Sequence, residues 1–209
     1  MSDIAFRSAT ELAAMIAKND ISARELLDLY LDRIDRYNEA LNAVVVDVRK
    51  EARETADKMD ANPRNVAFHG VPMTVKESYD IPGAPTTWGN PAWRDNVAKE
   101  DAESIKKLRS AGLNVFGKTN VPLSLADFQS YNEVYGTTNN PYDHSRIPGG
   151  SSGGSAAALA AAAGTMSGLT RFCAAARRGR PPEGGALAGT AGAGRLESDI
   201  CATSIRVGV

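Results

Sequence analysis

Lys76 closes the apolar run VPMTVKES (71–78), a position where a cation is unwelcome. A lysine at the buried end of a strand must reach water, pair with an acid or lose its proton, because desolvation lowers a lysine pKa. The neutral form is a usable base. Position alone also fits a solvated strand-end lysine paired with the adjacent Glu77. A second stretch, PGGSSGGSAAALAA (148–161), places Ser151 and Ser152 between two glycine pairs and leads into a helix former. Its glycines let the backbone approach a ligand closely. A Walker-type phosphate loop needs a lysine after the glycines, and none follows; the dinucleotide pattern with its downstream acid is not met cleanly either. The remaining readings are a catalytic serine loop and a plain helix entry with serines such as Ser152 and Ser155 as capping groups.

These residues need a scaffold, and the rest of the sequence describes one. Ser8-Ala9-Thr10-Glu11 and Ser22-Ala23-Arg24-Glu25 both fit the capping box that opens a helix. Leu26, Leu27, Tyr30, Leu31 and Ile34 then recur at helical spacing, which predicts one buried stripe. The pattern predicts strands over 43–48, 71–75 and 114–116, and helices over 50–61 and 101–111, with Gly112 as the cap of the latter. Pro72 suits the first residues of its strand or an edge. Strands alternating with helices predict an α/β fold.

The 209 residues carry 24 basic and 25 acidic side chains, and no block of like charge stands out. Neither nucleic acid nor an anionic membrane is thereby favoured as a partner. The N-terminus lacks the pattern of a signal peptide and no apolar run reaches bilayer length, so a cytoplasmic protein is expected. Cys173 and Cys201 have no metal-ligand spacing, and His69 and His144 are the only histidines. No metal and no cofactor is expected, and His144 reads as a turn residue. Trp88 and Trp93 read as packing residues rather than a substrate platform.

VKESYDIPG, GKTNVP, YGTTNNPYD and PGGSSGGSAAALAA occur in this order, preceded by SARELLDLYLDRID. Together they resemble the amidase signature family of serine hydrolases over nearly all of residues 8 to 163. The resemblance implies an amidase-signature-like mixed sheet flanked by helices, incomplete in this chain. It also implies a Ser–cis-Ser–Lys triad: Lys76 as the base and Ser151 as the bridging serine after a cis Gly150–Ser151 peptide. The family's nucleophile motif is close to GSDxGGSIRxPA; here its counterpart is SDICATSIRVGV, so Ser204 is the candidate nucleophile. That motif departs from the family, with Cys201-Ala202-Thr203 where glycines are expected, and Ser204 stands 53 positions beyond Ser151.

The resemblance divides the chain into 1–163, the N-terminal part of an amidase domain; 164–197, a low-complexity segment expected to be disordered; and 198–209, a remnant of the nucleophile motif. Family members continue well past the position of Val209, so a truncated or frame-disturbed member is expected. The implied activity is hydrolysis of a small-molecule amide to its acid and ammonia or an amine, through an acyl-serine. Aliphatic, aryl, indole-acetyl and peptide amides all stay open as substrates. A glutaminase component like the A-type subunit of glutamyl-tRNA amidotransferase, and a non-catalytic remnant, are the competing readings. Oligomeric state is left open, a homodimer being one option.

Overall fold

The computed structural model describes residues 4–63 and 65–164. Two helices lead the chain, α1 (Ala9–Ala17) and α2 (Ala23–Leu41), and both open with complete capping boxes, from Ser8 with Glu11 and Ser22 with Glu25. Each box satisfies backbone N–H groups that a helix start otherwise leaves free. The stripe foreseen on α2 is buried: Leu26, Leu27, Tyr30, Leu31 and Ile34 all lie in the core. Tyr30 stacks on Phe116 with ring centroids 6.5 Å apart and donates its hydroxyl proton to the Ala5 carbonyl. At its C-terminus, α2 turns on Asn42 in the left-handed conformation. Asn38 ties that exit to the next strand, accepting from the amides of Ala43 and Val44.

Strand β1 (Val44–Asp47) follows, then α3 (Arg49–Ala61), β2 (Pro72–Lys76), α4 (Glu103–Ser110) and β3 (Asn114–Thr119). The sheet order is β1-β3-β2. Strand β3 is antiparallel to β1 and parallel to β2, so the sheet is mixed. Pro72 occupies the first position of an edge strand, where its missing N–H removes no ladder bond. The central strand runs three residues further than the apolar pattern predicts, through Gly117, Lys118 and Thr119. All six of its residues are buried.

Beyond β3 come a short hairpin, β4 (Tyr131–Asn132) with β5 (Gly136–Thr137), and α5 (Gly153–Ala160). Asn132 and Asn120 hold the hairpin against the end of β3: Asn132 Nδ2 donates to Asn120 Oδ1 and the Val121 carbonyl. Helix α5 is nearly all alanine and glycine, and Ala157 and Ala158 are buried against the sheet. Arg33 of α2 reaches the far end of α5, donating to the carbonyls of Ala161 and Ala162. Among the described residues, no helix is long and apolar enough to cross a membrane.

Candidate active site

Two elements meet at the candidate site. Strand β2 ends on Lys76, and the loop entering α5 carries Ser151. Lys76 Nζ lies 2.6 Å from Ser151 Oγ. As an ammonium, Lys76 donates in this contact; as a free amine, it can accept the serine's proton. Burial holds the Lys76 pKa below the ordinary lysine range. Among the described residues no carboxylate lies within ion-pair distance of it, so Lys76 does not pair with its neighbour Glu77.

The glycines make the approach of the serine loop to the sheet feasible. The Gly150–Ser151 peptide is cis, as the resemblance implies. A Cβ on Gly150 would collide with the Asp127 carbonyl, and one on Gly154 with the backbone of Asn120. Backbone bonds then dock the loop: Gly153 N–H donates to Ser130 Oγ at 2.9 Å, and Gly154 N–H to the Asn120 carbonyl at 3.2 Å. The capping role expected of the neighbouring serines is not taken up. Ser152 stands at the N-cap of α5 without a side-chain capping bond, and Ser155 is fully buried with its hydroxyl against Thr119.

Glu77 faces the other way and anchors the loop that follows. Its carboxylate accepts from the amides of Thr87 and Trp88, at 2.6 and 3.0 Å, and from the Tyr135 hydroxyl at 3.0 Å. Close by, Lys118 is fully buried and donates to the Pro85 carbonyl and to Thr86 Oγ1. Desolvation pushes its pKa down to about 8, against opposing attraction from Glu77 and Asp80. The sequence motifs assign no role to Lys118 or Tyr135, and the apolar pattern of the strand, which ends at Phe116, gave no signal for Lys118.

Trp88 and Trp93 pack edge-to-face on one another, with centroids 5.8 Å apart, yet both remain well exposed. They pack on each other, but at the surface rather than in the core. His144 lies in an exposed turn, as expected. Ser204 and the segments 164–197 and 198–209 lie, apart from Gly164, outside the described residues. Among those described, no cluster of three or more His, Cys, Asp or Glu could hold a metal ion. A cleft of about 940 Å³, lined by residues of α1 and the start of α2 together with Asn65, Val66 and His69, includes neither Lys76 nor Ser151.

The Amidase family model matches residues 25–168. An indoleacetamide hydrolase of Bradyrhizobium diazoefficiens is 43% identical over 165 residues, covering 77% of this chain and 31% of that protein. The A-type subunit of a glutamyl-tRNA(Gln) amidotransferase from Acidothermus cellulolyticus is 41% identical over 156 residues, covering 73% of this chain and 31% of the other. Among solved structures, a 6-aminohexanoate cyclic dimer hydrolase in complex with its substrate superposes with a TM-score of 0.72 at 30% identity, covering 78% of this chain and 33% of that one. The chain thus spans about a third of the length of the proteins it matches.

Proposed function

The chain belongs to the amidase family, and from that premise we propose that it hydrolyses a small-molecule carboxylic amide to the acid and ammonia or an amine, through an acyl-serine intermediate. The observation that carries the proposal is the 2.6 Å contact between Lys76 Nζ and Ser151 Oγ. A serine hydroxyl is a poor nucleophile until a base takes its proton. Lys76, with its pKa lowered by burial, is the base; Ser151, which can both accept and donate, is the relay. The nucleophile in this reading is Ser204, on the residues SIRV that match the family's motif.

The proton steps follow from these roles. The Ser204 hydroxyl proton passes to Ser151 Oγ as the proton of Ser151 passes to Lys76, and Ser204 Oγ bonds to the amide carbon. When the tetrahedral intermediate collapses, the C–N bond breaks, and the proton held on Lys76 returns through Ser151 to the departing amine. Water then attacks the acyl-serine by the same relay, releasing the acid and restoring Ser204. No metal or redox group enters these steps.

A fluorophosphonate probe, which phosphonylates activated serines, tests the assignment. Labelling of the purified chain is expected, lost in Ser204→Ala and strongly slowed in Ser151→Ala and Lys76→Ala. Labelling that survives Ser204→Ala but is lost in Ser152→Ala would move the nucleophile to Ser152. Labelling indifferent to Lys76→Ala would remove the base.

A further inference from the structure

Behind the Lys76–Ser151 contact lies a second pair of hydroxyls. Thr119 and Ser155 are both completely buried, and their oxygens are 2.6 Å apart. Thr119 is the β3 residue in register with Lys76, so the two side chains share a face of the sheet. Thr119 Oγ1 also donates to the Val75 carbonyl at 3.1 Å. A hydroxyl has one proton to give. With that proton on Val75, the contact with Ser155 requires Ser155 as donor, and a directed chain results: Ser155 O–H to Thr119, Thr119 O–H to the carbonyl of Val75.

The ends of this chain are informative. Val75 immediately precedes the lysine, and Ser155 stands in the first turn of the helix entered from Ser151. The next residue of the chain after β3, Asn120, receives the Gly154 amide through its carbonyl. The start of α5 is therefore fastened at consecutive positions along the strand that lies beside Lys76. Packing does not call for these hydroxyls: a buried β3 position would accept valine, and the three residues after Ser155 are all alanine. A buried hydroxyl costs stability unless it is hydrogen-bonded, so an all-polar link here needs a reason beyond filling space.

We propose that Thr119 and Ser155 are positioning residues, which hold Lys76 and Ser151 at proton-transfer distance by tying the helix after the relay serine to the strand beside the lysine. The inference rests on the reading of Lys76 and Ser151 as base and relay. Other charged groups near Lys76 are otherwise engaged. Helix α5 has no titratable side chain, Lys118 of β3 alternates to the opposite face, and Glu77 is bound by Thr87, Trp88 and Tyr135. Arg33 of α2 is spent on the carbonyls of Ala161 and Ala162.

The test reads Lys76 directly and does not need turnover. Trace acylation of the full chain with acetic anhydride across pH, followed by mass spectrometry of the peptide bearing Lys76, gives the midpoint at which this amine loses its proton. In the parent chain that midpoint is expected below that of an ordinary lysine. Thr119→Val, which keeps the shape and removes the hydroxyl, is expected to raise it, each pH unit of rise being roughly a tenfold loss of free amine on the acid side. Thr119→Ser is expected to restore the parent midpoint, and Ser155→Ala to give a smaller rise because Thr119 keeps its bond to Val75.

A thermal midpoint that falls in Thr119→Val while the Lys76 midpoint stays put would overturn the positioning role, leaving a purely structural one. So would a failure of Thr119→Ser to restore it. If Thr119→Val does not fold, Ser155→Ala carries the test, and an unmoved Lys76 midpoint in that variant overturns the inference. A parent Lys76 that titrates as an ordinary lysine overturns something different, the assignment of the base itself.

Discussion

Two lysines on adjacent strands are withdrawn from water to different degrees, and their partners differ as well. Lys118 is closed in completely and spends its donors on fixed partners, the Pro85 carbonyl and Thr86 Oγ1. Lys76, only partly buried, faces the Ser151 hydroxyl across 2.6 Å. Burial lowers both pKa values. What separates a structural lysine from a candidate base is therefore not the shift but the partner. Lys118 donates to a carbonyl, which can only accept, and to a buried threonine hydroxyl, whereas the Ser151 hydroxyl facing Lys76 is only partly buried and can hand a proton on.

That contrast is broken most sharply by removing each amine in turn. Lys76→Met is expected to slow amide hydrolysis and probe labelling by about 10²–10⁴-fold, the usual contribution of a positioned base, with little change in thermal midpoint. Lys118→Met should do the opposite. It leaves the Pro85 carbonyl and Thr86 unpaired in the interior, at a loss of about 1–3 kcal/mol in a urea melt, while labelling of the folded fraction persists. If Lys118→Met abolished labelling in well-folded protein, the division of labour between the two lysines would fail.

The pH dependence of stability sharpens the same point. The folded-state pKa of Lys118, about 8, lies below the unfolded value near 10.5, so between those values the unfolded chain binds more protons. Stability is then expected to rise with pH through this window, as the penalty of burying a charge is relieved; the full span amounts to an order of 3 kcal/mol. Tyr135, whose phenol burial holds above its ordinary range, opposes this above about pH 10, so the clean interval is about 8 to 10. Denaturant melts of the parent and Lys118→Met across that interval should diverge in slope. Parallel curves would contradict the buried charge.

A loss of stability of similar size, without consequence for the base, is expected from Tyr135→Phe, which withdraws one of the three donors on the Glu77 carboxylate. The loss of one such bond to a charged group is worth about 1.5–3 kcal/mol at most. It should appear as a lower thermal midpoint with the Lys76 titration unchanged, since Glu77 and Lys76 work on opposite sides of the strand.

The legible parts of the sequence were those where one residue type has one physical use. Ser8 with Glu11 and Ser22 with Glu25 announce helix starts, and the stripe from Leu26 to Ile34 announces the face that is buried. Lys76 and Ser151 were legible through the ordered motifs, and the structure brings them together. The end of β3 was not, because a pattern of apolar residues stops at Phe116 while the strand continues through Gly117, Lys118 and Thr119. Burial there is satisfied by hydrogen bonds with partners distant in sequence, Lys118 donating to Thr86 Oγ1 and Thr119 bonding Ser155. Ser155 read as a cap because serine before an alanine run usually is one; a helix whose small residues face the core on most sides turns its serine inward instead. Trp88 and Trp93 were legible as packing residues but not in their place, since the partner of each is the other and both stand at the surface.

The relay from Lys76 through Ser151 is tested most directly by the pH dependence of fluorophosphonate labelling in the parent chain, beside Lys76→Met and Ser151→Ala. The account predicts a labelling rate that climbs with pH along a limb whose midpoint lies below the ordinary lysine range and coincides with the Lys76 titration, and that both variants lose this limb. A limb that persists in Lys76→Met would contradict it.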